Sequence, residues 1–279
     1  MNIKEIMEDN IEDYSSVISD DVAENMERMY FRGLACHDDD DNIQSAIIWE
    51  LRSVEKDTDT EARIECVYAE NPDSLGTLLE EYHNQATDED VVRTFFELTS
   101  LDDKVGSALG GCGFDVSSVE SRDVIIPVSE LRTLPLMKKR PPDYVKSIAD
   151  LDLKSYHQGI MKILFKDDVS AMEDLSYIPK TWFEQDVSCY VTTDDKVNGF
   201  LLVHEFPSGI LMPVLYNATG PDFLKDLAYM MIYSIAWAAK KHPDAKVLVR
   251  RRNKNVAAMV GKLFPGKKGF PAMAGKREE

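Results

Sequence analysis

Residues 62–86, ARIECVYAENPDSLGTLLEEYHNQA, constrain the fold most tightly, because the hydrophobic period changes partway through them. Ala62, Ile64, Cys66 and Tyr68 alternate with Arg63, Glu65 and Val67, the period-two pattern of a partly buried strand. Asn71-Pro72-Asp73-Ser74 then breaks it. Proline cannot donate a ladder hydrogen bond, and Asn, Asp and Ser favour turns and helix N-caps. Leu75, Leu78, Leu79 and Tyr82 follow at the i, i+3, i+4, i+7 spacing of an amphipathic helix. Gly76 falls in the first predicted turn, where the missing side chain leaves backbone N–H groups approachable. That is the geometry of an anion site at a helix start.

The same order returns at residues 209–242. Residues 210–216 are apolar and strand-like, Asn217-Ala218-Thr219-Gly220-Pro221-Asp222 is the break, and 223–241 carry a long helical pattern. The two breaks lie about 146 residues apart, which predicts a duplication of one unit. The size prior for 279 residues also suggests two domains. Residues 1–134 and 150–279 are the expected domains. The basic, proline-containing stretch around TLPLMKKRPPD predicts a linker at 135–149.

The flanking segments fill in each half. Residues 3–30 are predicted helical, 32–37 and 45–54 form a hairpin, and the charged run 55–61 turns into the strand that opens at Ala62. Residues 91–98 read as a strand and 101–109 as a short helix stopped by Gly110-Gly111, with Phe114 and 124–128 on the last strands. The second half repeats this with a helix at 153–165, hairpin strands at 187–192 and 197–204, a strand at 246–250 and a helix at 255–263. The basic tail is expected to fray. The result is an α+β fold, each half a mixed sheet flanked by helices. A dinucleotide-binding chain is excluded, since hairpins come first and no G-x-G-x-x-G follows a first strand.

Charge narrows the partners. Thirty-two basic against fifty acidic residues give a net charge of −18. Phosphate contacts need Lys and Arg, so a nucleic-acid surface is not expected. The longest apolar run, 227–239, is too short to span a bilayer and reads as a buried helix, so no membrane is expected either. It is apolar nearly all round, which predicts cover on both sides. Cys36, Cys66, Cys112 and Cys189 form no C-x-x-C pair; a disulfide framework and a metal site are not expected, and a cytoplasmic location is. The opening MNIKEIMEDN lacks the features of a signal peptide.

The pattern resembles the GNAT superfamily of acyl-CoA-dependent N-acetyltransferases, once per half. In that family a loop of form [R/Q]-x-x-G-x-[G/A] between a strand and a helix holds the pyrophosphate of acetyl-CoA. Asn71-Pro72-Asp73-Ser74-Leu75-Gly76 occupies that place in the first half, and Asn217-Ala218-Thr219-Gly220-Pro221-Asp222 in the second. Gly113-Phe114 matches the family's Gly-Phe after the following helix. The resemblance implies two tandem GNAT-like folds and transfer of an acyl group from acetyl-CoA to a primary amine, on a small molecule or a peptide, by a monomer or homodimer. The implied cofactor contacts are Cys66, Val67, Tyr68, Asn71, Ser74, Leu75, Gly76 and Thr77, with Asn217, Thr219 and Gly220 in the second half. Glu65, on the strand that lines the acceptor site in the family, is the candidate general base. The tyrosine that often precedes Gly-Phe by four residues is Leu109 here. That leaves a second reading: a tandem GNAT-like protein that binds CoA, another ligand or a protein partner without catalysis. The absent charge and free N–H groups at Gly76, against Pro221 and Asp222, favour the first half as the cofactor site.

Overall fold

The computed structural model describes residues 1–53, 59–99, 101–166, 175–194, 196–251 and 254–279. In chain order the elements are β1 (Asn2–Ile6), α1 (Asp20–Ala23), β2 (Phe31–His37), β3 (Ile43–Ser53), β4 (Thr60–Ala69), α2 (Ser74–Asp88), β5 (Val91–Leu98), α3 (Asp103–Gly111) and β6 (Asp115–Glu120). They continue with β7 (Asp123–Pro127), α4 (Val128–Leu131), β8 (Val145–Ser147), α5 (Leu153–Lys166), β9 (Cys189–Thr193), β10 (Lys196–Glu205) and β11 (Ile210–Ala218). Last come α6 (Phe223–Lys241), β12 (Lys246–Arg250), α7 (Lys254–Leu263) and β13 (Pro271–Glu278). The fold is α+β, with two mixed sheets flanked by helices.

The chain divides into two units. Met1–Ser121 and Phe270–Glu279 form the first, and Arg122–Gly269 the second. In the first unit the strand order is β1-β2-β3-β4-β5-β13-β6. Every pairing is antiparallel except β4 with β5. One face packs Trp49, Ile64 and Phe96 against Leu78 and Tyr82 of α2 and Leu109 of α3. The other packs Ile6, Phe31 and Ile48 against Tyr14, Ile18 and Met26 of the segment between β1 and β2. In the second unit the order is β7-β12-β11-β10-β9-β8, with β11 and β12 parallel. There Met230, Ile235 and Ala238 of α6 and Val260 and Phe264 of the α7 segment cover one face. Tyr156, Ile160 and Ile163 of α5 cover the other.

Four expectations change. The predicted helix at 3–30 begins instead as β1, which pairs with β2 from Asn2↔His37 to Ile6↔Gly33. Gly33 makes this possible, since a Cβ there would sit 2.9 Å from that of Ile6. The expected linker at 135–149 contains a 3-10 turn at Pro135–Lys138 and strand β8, which pairs with β9. Residues 122–134, expected in the first half, bury Val124, Ile126, Val128 and Leu131 in the second unit's core. The tail expected to fray is β13, hydrogen-bonded on both sides inside the first sheet. Residue 54 of the predicted strand 45–54 and residues 55–58 of the predicted turn 55–61 lie outside the described residues.

The apolar helix at 227–239 is the middle of α6. Met230, Ile232, Ile235 and Ala238 are buried, while Ala228 and Ala236 are exposed. No helix among the described residues is long and apolar enough to cross a membrane.

Candidate functional site

The parallel pair in the first unit opens partway along. β4 and β5 pair from Thr60↔Val91 to Ile64↔Phe96. Beyond Ile64, β4 continues against β3 alone, with Cys66 opposite Ile48, Val67 opposite Ile47, Tyr68 opposite Ala46 and Ala69 opposite Ser45. The sheet splays, and the β5-facing backbone of 66–69 lines the opening. Glu65 is the extra residue of a β-bulge, skipped where the register shifts between Ile48 and Trp49. Bulges re-aim side chains and end pairing, and both happen here.

The loop after β4 is wired by its own polar groups. The N–H groups of Glu70 and Asn71 donate to the Gln44 carbonyl at 2.9 and 3.4 Å. The Asn71 amide oxygen accepts from the Asp73 N–H at 3.1 Å. The Asn71 carbonyl accepts from the Ser74 N–H at 3.0 Å and from its hydroxyl at 2.7 Å. The Leu75 N–H donates to the Pro72 carbonyl at 3.2 Å. Asn71 and the fully buried Ser74 therefore shape the loop, and Leu75 is core. Gly76 and Thr77 differ. Among the described residues neither N–H bonds back to the loop. A Cβ on Gly76 would meet no atom within 4 Å, so the space over this helix start is open.

Electrostatics sort the strand residues. Glu65 is paired with Arg63 at 2.6 Å, both side chains being mostly buried. Burial, and then the Glu65 charge, push the Cys66 thiol up to about 11, so it stays protonated and is no nucleophile at neutral pH. Tyr68 donates to Glu70 at 3.4 Å, and burial raises its hydroxyl above the usual value. Farther along, α3 ends at Gly111, Cys112 is its C-cap, and Gly113 has φ of 93°. Gly110-Gly111-Cys112-Gly113 is thus a helix stop. Phe114 and Leu109 are both buried in the core.

The second unit repeats the geometry with other side chains. β11 and β12 pair only at Ile210↔Lys246 and Leu211↔Val247, and a bulge at Val214 shifts the register against β10. Asn217 stays on the strand opposite Phe200. The Thr219 N–H and hydroxyl donate to the Asn198 carbonyl at 2.7 and 3.2 Å. Gly220, exposed, has φ of 111°, a left-handed conformation that suits glycine. With the two bulges and helix starts superposed in sequence, Pro221-Asp222 match Pro72-Asp73. Gly220 then matches Asn71, and Lys225 rather than Asp222 matches Gly76.

The element that distinguishes this helix start was missed by sequence reasoning. Asp226 lies in the first turn of α6, 7% exposed, and accepts from the Tyr144 hydroxyl at 3.0 Å. Burial, and then this bond, push Tyr144 up to about 12. A carboxylate thus already occupies the favourable end of the α6 dipole. The partners are 82 residues apart in sequence, and no local pattern announces them.

Other polar clusters hold structure. His37 contacts Asp41 at 3.2 Å, and Asp38 accepts from Asn42 and Gln44. Arg250 lies 3.7 Å from Asp123, Arg251 donates to the Arg122 carbonyl at 2.9 Å, and Arg252 is outside the described residues. Among the described residues no cluster of His, Cys, Asp and Glu is able to hold a metal ion.

Solved structures share this architecture. A tandem GNAT protein from the clavulanic acid biosynthesis pathway, solved without acetyl-CoA, aligns over 99% of this chain and 98% of its own at 9% identity, TM-score 0.64. A conserved Enterococcus faecalis V583 protein of unknown function, described as a probable N-acyltransferase, aligns over 99% and 72% at 11% identity, TM-score 0.55. FemX aligns over 100% and 98% at 13% identity, TM-score 0.53. No protein-family model matches the sequence, and no curated protein matches it. At these identities the likeness concerns the fold alone, which this chain shares with a tandem GNAT protein.

Proposed function

We propose that this chain is an acyl-CoA-dependent N-acyltransferase and that the first unit holds the acyl donor. The observation that carries the reading is the open β4–β5 wedge, followed by a helix start left uncovered at Gly76. Extended backbone on one side suits a pantetheine arm, and helix N–H groups suit its pyrophosphate. The second unit has the wedge but places Asp226 at the helix start and Val214 at the bulge where the first has Glu65. It is assigned no acyl donor.

The reaction is aminolysis of a thioester. The amine nitrogen attacks the acyl carbon, the C–S bond breaks, the amine loses a proton and the CoA thiolate gains one. Catalysis comes mainly from holding the two reactants together, with N–H groups of the splayed strand stabilising the oxyanion. Glu65 is the proposed base, and Arg63 must yield when it takes a proton, since the two are in contact. Tyr68, on the same strand, is the nearest hydroxyl along β4. Acetyl-CoA is the proposed donor, and a primary amine on a small molecule or peptide the acceptor.

A second reading, non-catalytic binding of CoA, is favoured by the Arg63–Glu65 pair and by buried Leu109 where the family often has tyrosine. Calorimetric titration with acetyl-CoA tests the cofactor, using Gly76→Val and Lys225→Val, the matching position of the second unit. Gly76→Val weakening binding at least tenfold, with Lys225→Val near wild type, is the expected result. The reverse pattern moves the site to the second unit, and no binding by the wild type removes both readings. Amine-dependent release of free CoA, lost in Glu65→Gln, then separates enzyme from binder.

A further inference from the structure

The ion pair at the apex of the first unit's wedge sets a condition on the acceptor. Glu65 is the first residue of β4 beyond its last register pair with β5, Ile64↔Phe96. It contacts Arg63 at 2.6 Å, and the two side chains are only 15% and 7% exposed. The carboxylate opposite Arg63 on β3, Glu50, lies 3.4 Å from Arg28 and 3.8 Å from Arg52. Phe95, the register partner of Arg63 on β5, is half-buried and gives the pair an apolar neighbour. A simple amine, arriving as an ammonium, would draw Glu65 away and leave the Arg63 guanidinium mostly buried without that carboxylate. Removing one partner of a buried pair is strongly unfavourable, because the other charge stays behind. An amine that brings its own carboxylate avoids this.

We infer that the acceptor is a free α-amino acid. Its ammonium meets Glu65 and its carboxylate meets Arg63, whose planar fork suits a carboxylate. One pair of touching charges is exchanged for two, so no charge is left buried alone. The exchange also releases Glu65 from Arg63, which lets Glu65 take the proton that the ammonium gives up before its nitrogen attacks the thioester carbon. Amine and carboxylate must be close together on the acceptor, because Arg63 and Glu65 are in contact. A peptide N-terminus does not qualify, since the carbonyl beside its amine is neutral. The inference rests on the first unit holding the acyl donor, with Glu65 as the base. Arg63 is then an acceptor-binding residue that decides which amines are accepted, and it makes and breaks no bond itself. A site built to pair with a substrate group rejects analogues that lack that group.

Calorimetric titrations of the full chain, without acyl donor and near neutral pH, test this. The probes are L-leucine, L-phenylalanine and L-lysine, each against the amine left when its carboxylate is removed: isopentylamine, phenethylamine and cadaverine. At least one amino acid should bind, at least about tenfold more tightly than its decarboxylated partner. Arg63→Met should reduce that ratio to near one, and Arg63→Lys, which keeps the charge, should retain most of it. A general loosening of the fold would weaken both members of a pair and leave the ratio alone. If Arg63→Met does not fold, the wild-type ratio and Arg63→Lys decide. Amines that bind as tightly as the amino acids, no binding by any of the three amino acids, or a preference that survives Arg63→Met would overturn the inference. Acetyl-CoA is titrated separately. A wild type that prefers the amino acids but does not bind acetyl-CoA would remove the donor assignment and leave the amino-acid site standing.

Discussion

Replacing Arg277 with methionine should unlatch the inserted strand. Arg277 lies near the end of β13 and forks onto Glu279, Nη2 to Oε1 at 2.8 Å and to Oε2 at 2.6 Å. Its Nη1 donates to the Cys112 carbonyl at 3.3 Å, and its guanidinium sits 4.8 Å from the Phe114 ring centroid. The Glu279 side chain is 1% exposed, and besides Arg277 it takes hydrogen bonds from Thr94 and His83 among the described residues. Removing one member of a buried pair costs about 3–5 kcal/mol, because a charge stays behind. Two donors remain and methionine keeps the packing of the stem, so about 3 kcal/mol at neutral pH is expected. Burial raises the Glu279 carboxyl, but bonds from Arg277, Thr94 and His83 outweigh it and hold it below the usual range. A group lowered in the fold stabilises above its unfolded value and loses that contribution as pH falls through the folded value. The gap between wild type and variant should therefore narrow in acid. Adding Glu279→Gln removes the orphaned charge and should recover about 1–2 kcal/mol. Urea unfolding, with hydrogen exchange read on residues 74–88, measures all three proteins. A cost under about 1 kcal/mol, a gap that does not shrink in acid, or no recovery in the double variant would refute this account.

Gly159→Ala should destabilise the second unit by about 1–3 kcal/mol despite the better helix former, because overpacking outweighs propensity. The new Cβ would lie 2.7 Å from the Phe200 ring and 2.9 Å from Val197, and an unchanged denaturation midpoint would contradict so close an approach of α5 to β10. Lys180→Met should cost about 1–3 kcal/mol. The ammonium donates to the carbonyls of Ile148, Ala149 and Leu151 at 3.0, 3.3 and 2.8 Å, and faster exchange confined to the chain around 148–151 is the expected signature.

The strand–loop–helix of 62–86 was legible because its period changes from two to 3.6 at a proline. Its bulge was not, since Glu65 continues the alternation and only pairing with β3 shows the skipped residue. The second loop was misaligned because Gly220 was set on the first glycine of the six-residue loop form, whereas Pro-Asp before the helix is the feature both halves share. The last strand was hidden by its composition. Ala272, Ala274 and Gly275 are small because neighbours supply the volume: a Cβ on Gly275 would meet the Phe96 ring. A strand whose bulk is lent by others reads as a polar tail. Ser74 was legible as a helix-start residue, but its burial and its bond to Asn71 were not, because both depend on how the loop closes.

The insertion of β13 also dictates an order of events during synthesis. Residues 1–121 emerge first, yet their sheet lacks the strand that separates β5 from β6 until residues 271–278 follow. The parallel pair that opens at Ile64 therefore has one neighbour missing through the making of the entire second unit. A ribosome releasing this chain from its N-terminus finishes the first unit last. Truncation near the C-terminus should accordingly damage the half of the protein farthest away in sequence.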